Sequence, residues 1–323
     1  VTSALFAPEE QKVFGNVYNG RYHMPLLPGE AGVKSGGDWV PSGLTRTTNL
    51  CGAIVESRAL NMWEQEQALI GLALSPSLYE KLCLAVHRWQ LEGVDFSRIR
   101  DFPEVRMMLT GFPKHEDQSI IGQAKDRAGA NEAREAGNNR HKAWEIRAET
   151  GRLIGTPAMR EQTLAVEKLL ADAGLERIRG LSERTVRNTE VNCAGRFDDV
   201  LLEQATGRLL MGDLKTKRRK FYSWLEIDAQ EAVYARSKWM VTEDHTGYEE
   251  GPLSYVDQTE GVVLHSPSDG GTPYLRRADL VRGWRIAQLA RQVMDERTDS
   301  KSAERMALSH WVSPSRKDLE ISS

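Results

Sequence analysis

The sequence predicts an α/β (α+β) fold, on three observations. Residues 193–203 and 208–215 are largely apolar strand-like runs, separated by the turn Gln204-Ala205-Thr206-Gly207. Helical patterns flank them, one running from Pro157 to a stop at Gly174 and one over 225–240. A further apolar run, GVVLHS at 261–266, follows the second helix. With a weaker strand-like run over 176–190 before the hairpin strands, the resulting order is helix, three strands, helix, strand, which holds too few alternating units for a doubly wound or barrel enzyme.

Each element has a local reason. Residues 1–50, rich in Gly, Pro and Ser (LLPGEAGVKSGGDWVPSG), read as an irregular arm. A helical pattern from Ser57 to about Leu74 is broken by Ser75-Pro76. The same dipeptide starts a second helix to about Leu91, because proline is tolerated in a first turn. A short helix is expected around 102–110. From 118 to 151 runs a long polar helical stretch that Gly137-Asn138-Asn139 can interrupt. Thr156-Pro157 opens the next helix, with Leu164, Val166, Leu169 and Leu170 on its apolar side. Residues 176–190 have weak strand character. A strand at about 272–277 follows the turn SPSDGG, an amphipathic helix covers 278–296, and the chain after Lys301 is polar. These elements divide the chain into an arm and helical region (1–117), a core (118–297) and a tail (298–323).

Composition narrows the function classes. With 323 residues, 40% of them hydrophobic, the chain can bury a sizeable core. Its three cysteines, Cys51, Cys83 and Cys193, form no C-x-x-C pair, which argues against a disulfide framework or a zinc ribbon. Buried thiols in a reducing cytoplasm are the expectation. No apolar run approaches the ~18 residues of a membrane span, and the start carries no basic n-region or apolar h-region. A formal charge of −3 is less basic than a general nucleic-acid coat requires. Contact with nucleic acid would therefore use a local patch, and Lys217, Arg218, Arg219 and Lys220 beside Lys215 form the densest candidate. The chain has no Gly-x-Gly-x-x-Gly after a strand, no Walker-type loop and no His-Glu-x-x-His.

The chemistry lies in the hairpin. Pairing around the turn at 204–207 sets Asp198 opposite Asp213 at one end of the ladder. Opposed like charges destabilise a strand pair, so two such carboxylates share a proton or bind a cation. Oxygen ligands of this kind suit Mg²⁺ or Mn²⁺. Lys215 lies two residues beyond Asp213 and so faces the same side. Two carboxylates, a divalent ion and a lysine make a site for phosphodiester hydrolysis. A plain Asp–Lys ion pair on a two-stranded ribbon is the alternative. Asp199 points away from Asp198 and is expected as an outward bystander. Glu183 or Glu190 could add a further acidic group, and the sequence does not choose between them.

In order along the chain, Gly137-x-x-x-His141, Gly195-x-x-Asp198, Asp213-x-Lys215 and Gln230-x-x-x-Tyr234 resemble the PD-(D/E)XK nuclease superfamily in its RecB-like, phage-type exonuclease branch. The resemblance spans about 137–265 and implies a restriction-endonuclease-like αβββαβ core with a mixed central sheet. It implies that Asp198, Asp213, His141 and the backbone carbonyl of Leu214 hold Mg²⁺ or Mn²⁺, with Lys215 as catalytic lysine. Gln230 and Tyr234, one helical turn apart, would line the site and help place the DNA backbone. The function implied is a metal-dependent deoxyribonuclease, an exonuclease of phage-type DNA recombination or replication acting in the host cytoplasm. DNA and a homo-oligomer or recombination partner are the expected partners, and no membrane. An inert protein of the same fold, binding DNA or a virion partner, is the competing reading. Some members carry an iron–sulfur cluster on four cysteines. No cysteine follows Cys193 here, so no cluster is expected.

Overall fold

The computed structural model describes residues 17–18, 21–24, 27, 33–35, 38–40, 43–54, 58–111, 118–216, 224–243, 247–251, 253–267 and 270–310. The protein is α+β with mixed sheets. Its helices are α1 (Thr47–Cys51), α2 (Arg58–Leu74), α3 (Pro76–Leu91), α4 (Pro103–Thr110), α5 (Ile120–Arg127), α6 (Ala130–Thr150), α7 (Pro157–Asp172), α8 (Trp224–Ala235) and α9 (Leu280–His310). Its strands run from β1 (Val17–Tyr18), β2 (Arg21–His23), β3 (Val33–Ser35), β4 (Asp38–Val40) and β5 (Gly43–Arg46) to β6 (Leu175–Arg177), β7 (Thr185–Asn188) and β8 (Cys193–Arg196). They continue with β9 (Asp199–Glu203), β10 (Arg208–Lys215), β11 (Trp239–Val241), β12 (Tyr248–Glu250), β13 (Val256–His265) and β14 (Tyr274–Asp279).

Two compact units result. One takes Val1–Val55, Arg147–Arg152 and Glu161–Ser323, and the other takes Glu56–Ile146 and Leu153–Arg160. The second is helical. Leu78, Ile120 and Ala124 form one buried cluster in it, and Ala85, Trp89 and Val105 another. Gly129, with φ +81°, separates α5 from α6. Gly137-Asn138-Asn139 do not interrupt the stretch but continue α6, where Gly137 stays out of the left-handed region. Among the described residues no single helix is long and apolar enough to cross a membrane; Met62–Leu74 and Pro76–Leu91 reach that apolarity only jointly and are bent by 104°.

The first unit carries the sheets. A five-stranded sheet has the order β14-β13-β10-β9-β6, with β10 and β13 parallel and the other neighbours antiparallel. Within this sheet α7, β6, β9, β10, α8 and β13 run helix, three strands, helix, strand, but the strand expected over 176–190 is divided between β6 here and β7 of the other sheet. The parallel pair needs a crossover, which α8 supplies. A seven-stranded sheet has the order β1-β2-β5-β8-β7-β11-β12. The core between α8, α9 and the sheets includes Val186, Phe197, Val200, Met211, Tyr234, Val263 and Leu280, all nearly inaccessible to solvent. Burial of each such side chain contributes roughly 1.5–3 kcal/mol.

Three further expectations need correction. Residues 1–50 are not wholly irregular: β2 and β5 enter the seven-stranded sheet, β5 lying parallel to β8 through Thr45 opposite Cys193 and Arg46 opposite Ala194. Strands this short carry little period-2 signal, and partners far along the chain define them. The single strand expected over 193–203 is two, because Phe197 and Asp198 step the chain from the seven-stranded to the five-stranded sheet. The helix expected over 225–240 ends at Ala235, where Ser237 donates from its amide to Tyr234 O (3.0 Å) and from Oγ to Val233 O (2.8 Å). The chain then forms β11, pairing Met240 with Val186 of β7.

Candidate functional site

The step between the sheets creates the site. Gly195, in β8, leaves room for two side chains: a Cβ there would lie 2.5 Å from Thr47 Oγ1 and 2.6 Å from the Tyr234 ring. Two residues later Phe197 is fully buried against the same core. Asp198 therefore emerges beside the end of β10, held at main chain and side chain. Its carbonyl accepts the Glu183 amide at 2.9 Å, and its Oδ2 accepts the Leu214 amide at 2.6 Å.

The hairpin register explains the second contact. Arg208 faces Glu203 and Gly212 faces Asp199, so the next residues outward are Asp213 and Asp198, as the sequence count predicts. Asp213 is buried in β10. Lys215 donates to Asp213 Oδ1 at 2.9 Å, and its Nζ lies 2.6 Å from Oδ2. That second approach is off the hydrogen-bonding direction, and Oδ2 receives no hydrogen bond among the described residues. Burial alone would depress the Lys215 ammonium. The carboxylates of Asp213, Asp198 and Glu231 outweigh it and hold the lysine protonated, above its usual range. The acidic side chains of Asp213, Asp198 and Glu231 and the Lys215 ammonium thus form one electrostatic group.

Asp199 is not an outward bystander. It points away from Asp198, as alternation requires, but into protein: its Oδ1 accepts Arg177 Nε (2.9 Å), Arg177 Nη2 (2.6 Å) and Ser182 Oγ (2.6 Å). With the residue 1% exposed, this is a buried structural ion pair. Glu190 is exposed, whereas a Glu183 carboxylate oxygen lies within 4.8 Å of one from Asp198. Of the two acidic candidates, Glu183 is the neighbour. It takes a left-handed backbone, φ +54°, while its carbonyl accepts Arg196 Nε at 2.7 Å and its Oε2 pairs with the same nitrogen.

Gln230 and Tyr234 are buried on α8, and Gln230 Nε2 donates to Tyr234 Oη at 3.1 Å, so they are no exposed helix pair. Leu214 sits opposite Leu264 of β13. His141 is half-buried on α6, in the helical unit, where Glu145 pairs with Lys142 at 2.8 Å. The basic run Lys217, Arg218, Arg219 and Lys220 lies outside the described residues.

Sequence reasoning missed Glu231. It lies next to Gln230 on α8, is 0% exposed, and neither carboxylate oxygen has a hydrogen-bond partner among the described residues. Burial first, then the Asp213 carboxylate, pushes its carboxyl well above the usual range. Gly261 of β13 accommodates it: a Cβ at Gly261 would fall 2.1 Å from Glu231 Oε2. The available signal was one acidic residue in the apolar run Ala229 to Ala235 of a core helix.

The donors fit a hard divalent cation. They are carboxylate oxygens of Asp198 and the buried Asp213, which the Lys215 ammonium already pairs at 2.6 Å from Oδ2, and a bound cation would add to that compensation. No family model matches the chain, and no curated protein matches it.

Proposed function

We propose that the chain is a divalent-metal-dependent deoxyribonuclease of exonuclease type, acting in DNA recombination or replication of the phage kind. The reading rests on one observation above the others: Asp198, Asp213 and Lys215 come together where β9 begins and β10 ends, with Leu214 tied to Asp198. A charge pair that only stabilised a ribbon would not need a second carboxylate held beside a buried one. Bound Mg²⁺ or Mn²⁺ would supply Lewis-acid activation of water and charge neutralisation at the phosphate. In this reading Asp198 and Asp213 hold the ion, with the Leu214 carbonyl as the resemblance implies. Lys215 stays protonated and faces the developing charge on phosphorus. Gln230 fixes the Tyr234 hydroxyl behind Gly195, and Lys217, Arg218, Arg219 and Lys220 follow the phosphate backbone. His141 is the further ligand implied by the resemblance, and its alanine variant measures that assignment by Mn²⁺ affinity.

The test is digestion of linear and covalently closed circular DNA with Mg²⁺ or Mn²⁺. Wild type is expected to degrade only linear DNA, and Asp213→Asn and Lys215→Ala to lose about 100-fold or more of the rate while remaining folded. Wild-type rates in either variant sink the assignment. Cleavage of the closed circle replaces exonuclease by endonuclease. DNA binding without cleavage favours the inert alternative.

A further inference from the structure

The helical unit holds a helix, α2, whose outward face is apolar. Ala68 and Gly71 form its buried side. A Cβ at Gly71 would overlap Ala124 O, so α2 rests backbone to backbone on α5. Glu64 reaches the same neighbour, pairing with Lys125 at 3.6 Å. These contacts fix which side of α2 points outward, and a surface helix ordinarily carries polar residues there. Instead Met62, Trp63, Leu69, Ile70 and Leu74 are 39–68% exposed, and their spacing sets them on one side of the helix. On α3 the exposed Leu84 and Leu91 are interspersed with exposed Glu80, His87 and Arg88, an ordinary solvated face.

We propose that the outward face of α2 is a dimer interface, covered by α2 of a second copy of this chain. The inference is independent of the nuclease reading. At ~200 Å² for a large side chain, these half-exposed residues offer on the order of 500 Å² of apolar surface per chain, the size at which an exposed patch marks an interaction site. Two such faces bury on the order of 1,000 Å², the lower bound of a specific interface, so the dimer is a weak one. Charge selects the occupant. A nucleic-acid or anionic lipid surface calls for Lys or Arg, and residues 62–74 contain neither. Antiparallel pairing about a two-fold axis between Leu69 and Ile70 sets Glu66 against Ala73 of the second copy. The carboxylates then stay apart while the apolar residues meet.

The experiment is sedimentation velocity of the full chain, with thermal melting of each variant at the lowest concentration. Wild type is expected to pass from monomer to dimer between about 1 and 200 μM. Leu69→Arg is expected to weaken association about tenfold or more, with monomer melting unchanged because the side chain is exposed. Leu84→Arg, on the mixed face of α3, is expected to change neither. If Leu69→Arg folds poorly, Ala73→Arg, which removes no packed side chain from the same face, is expected to weaken association in the same direction. Wild type that stays monomeric throughout overturns the inference and leaves the face to a partner of different sequence. A dimer that persists in Leu69→Arg places the contact on another surface and overturns it. Equal weakening by Leu84→Arg makes the association non-specific and also overturns it. Cosedimentation of a monomeric wild type with phosphatidylcholine vesicles assigns the face to a lipid surface instead.

Discussion

The Leu214 amide donates to Asp198 Oδ2 across 2.6 Å, joining the end of β10 to the step between the two sheets. One residue on, Asp199 turns the other way to the Arg177 guanidinium. Adjacent aspartates thus divide into one facing the site and one facing the core.

Substitution separates them. Asp198→Asn keeps an oxygen that accepts the Leu214 amide, so the fold is expected to lose under about 1 kcal/mol, while Mn²⁺ affinity falls more than tenfold. Asp199→Asn leaves Arg177 without its anion and is expected to cost about 3–5 kcal/mol, as removal of one buried partner does. Urea midpoints and Mn²⁺ titration of both variants check this, and the reverse pattern refutes the division.

Gly195 carries a packing requirement that its motif alone does not explain. Gly195→Ala sets a methyl group 2.5 Å from Thr47 Oγ1 and 2.6 Å from the Tyr234 ring. Overpacking of this kind costs about 1–3 kcal/mol. The companion change Tyr234→Leu is expected to recover part of that loss, measured as a positive coupling in a double-mutant cycle.

The cysteines differ in environment. Cys83 is exposed, while Cys51 and Cys193 are buried. Burial pushes the Cys193 thiol up to about 12 from its ordinary 9.0. In the folded chain Cys83 is expected to react with a thiol probe at once, and the other two only on unfolding. Because the folded value is the higher, the Cys193 contribution to stability is complete below about pH 9 and is lost as pH rises towards about 12. Cys193→Ala should flatten that part of an alkaline unfolding profile.

The sequence made the local features legible and the long-range ones obscure. Pro76 and Pro157 mark helix starts, Gly174 (φ +67°) marks a stop, and the turn at 204–207 sets the hairpin register, since each acts within a few residues. The break at Phe197-Asp198 was hidden because both halves of 193–203 have strand composition, and only their separate partners, β7 and β10, divide them. The burial of Asp199 depended on Arg177, 22 residues away. Of the candidate site, Asp198, Asp213 and Lys215 could be read from alternation. Glu231 could not, because nothing in a helix sequence reveals that the facing strand carries a glycine opposite it.

Glu183 holds a backbone conformation that glycine adopts freely and other residues adopt at about 1–3 kcal/mol. A glycine there would relax the turn and delete the carboxylate beside Asp198, at the cost of a half-exposed ion pair to Arg196 that contributes about 0–1 kcal/mol. A library selected only for resistance to heat is therefore expected to enrich Glu183→Gly, and one selected for DNA degradation to reject it. On the nuclease reading proposed above, the two selections pull a single codon in opposite directions, and position 183 would separate the demands of folding from those of chemistry.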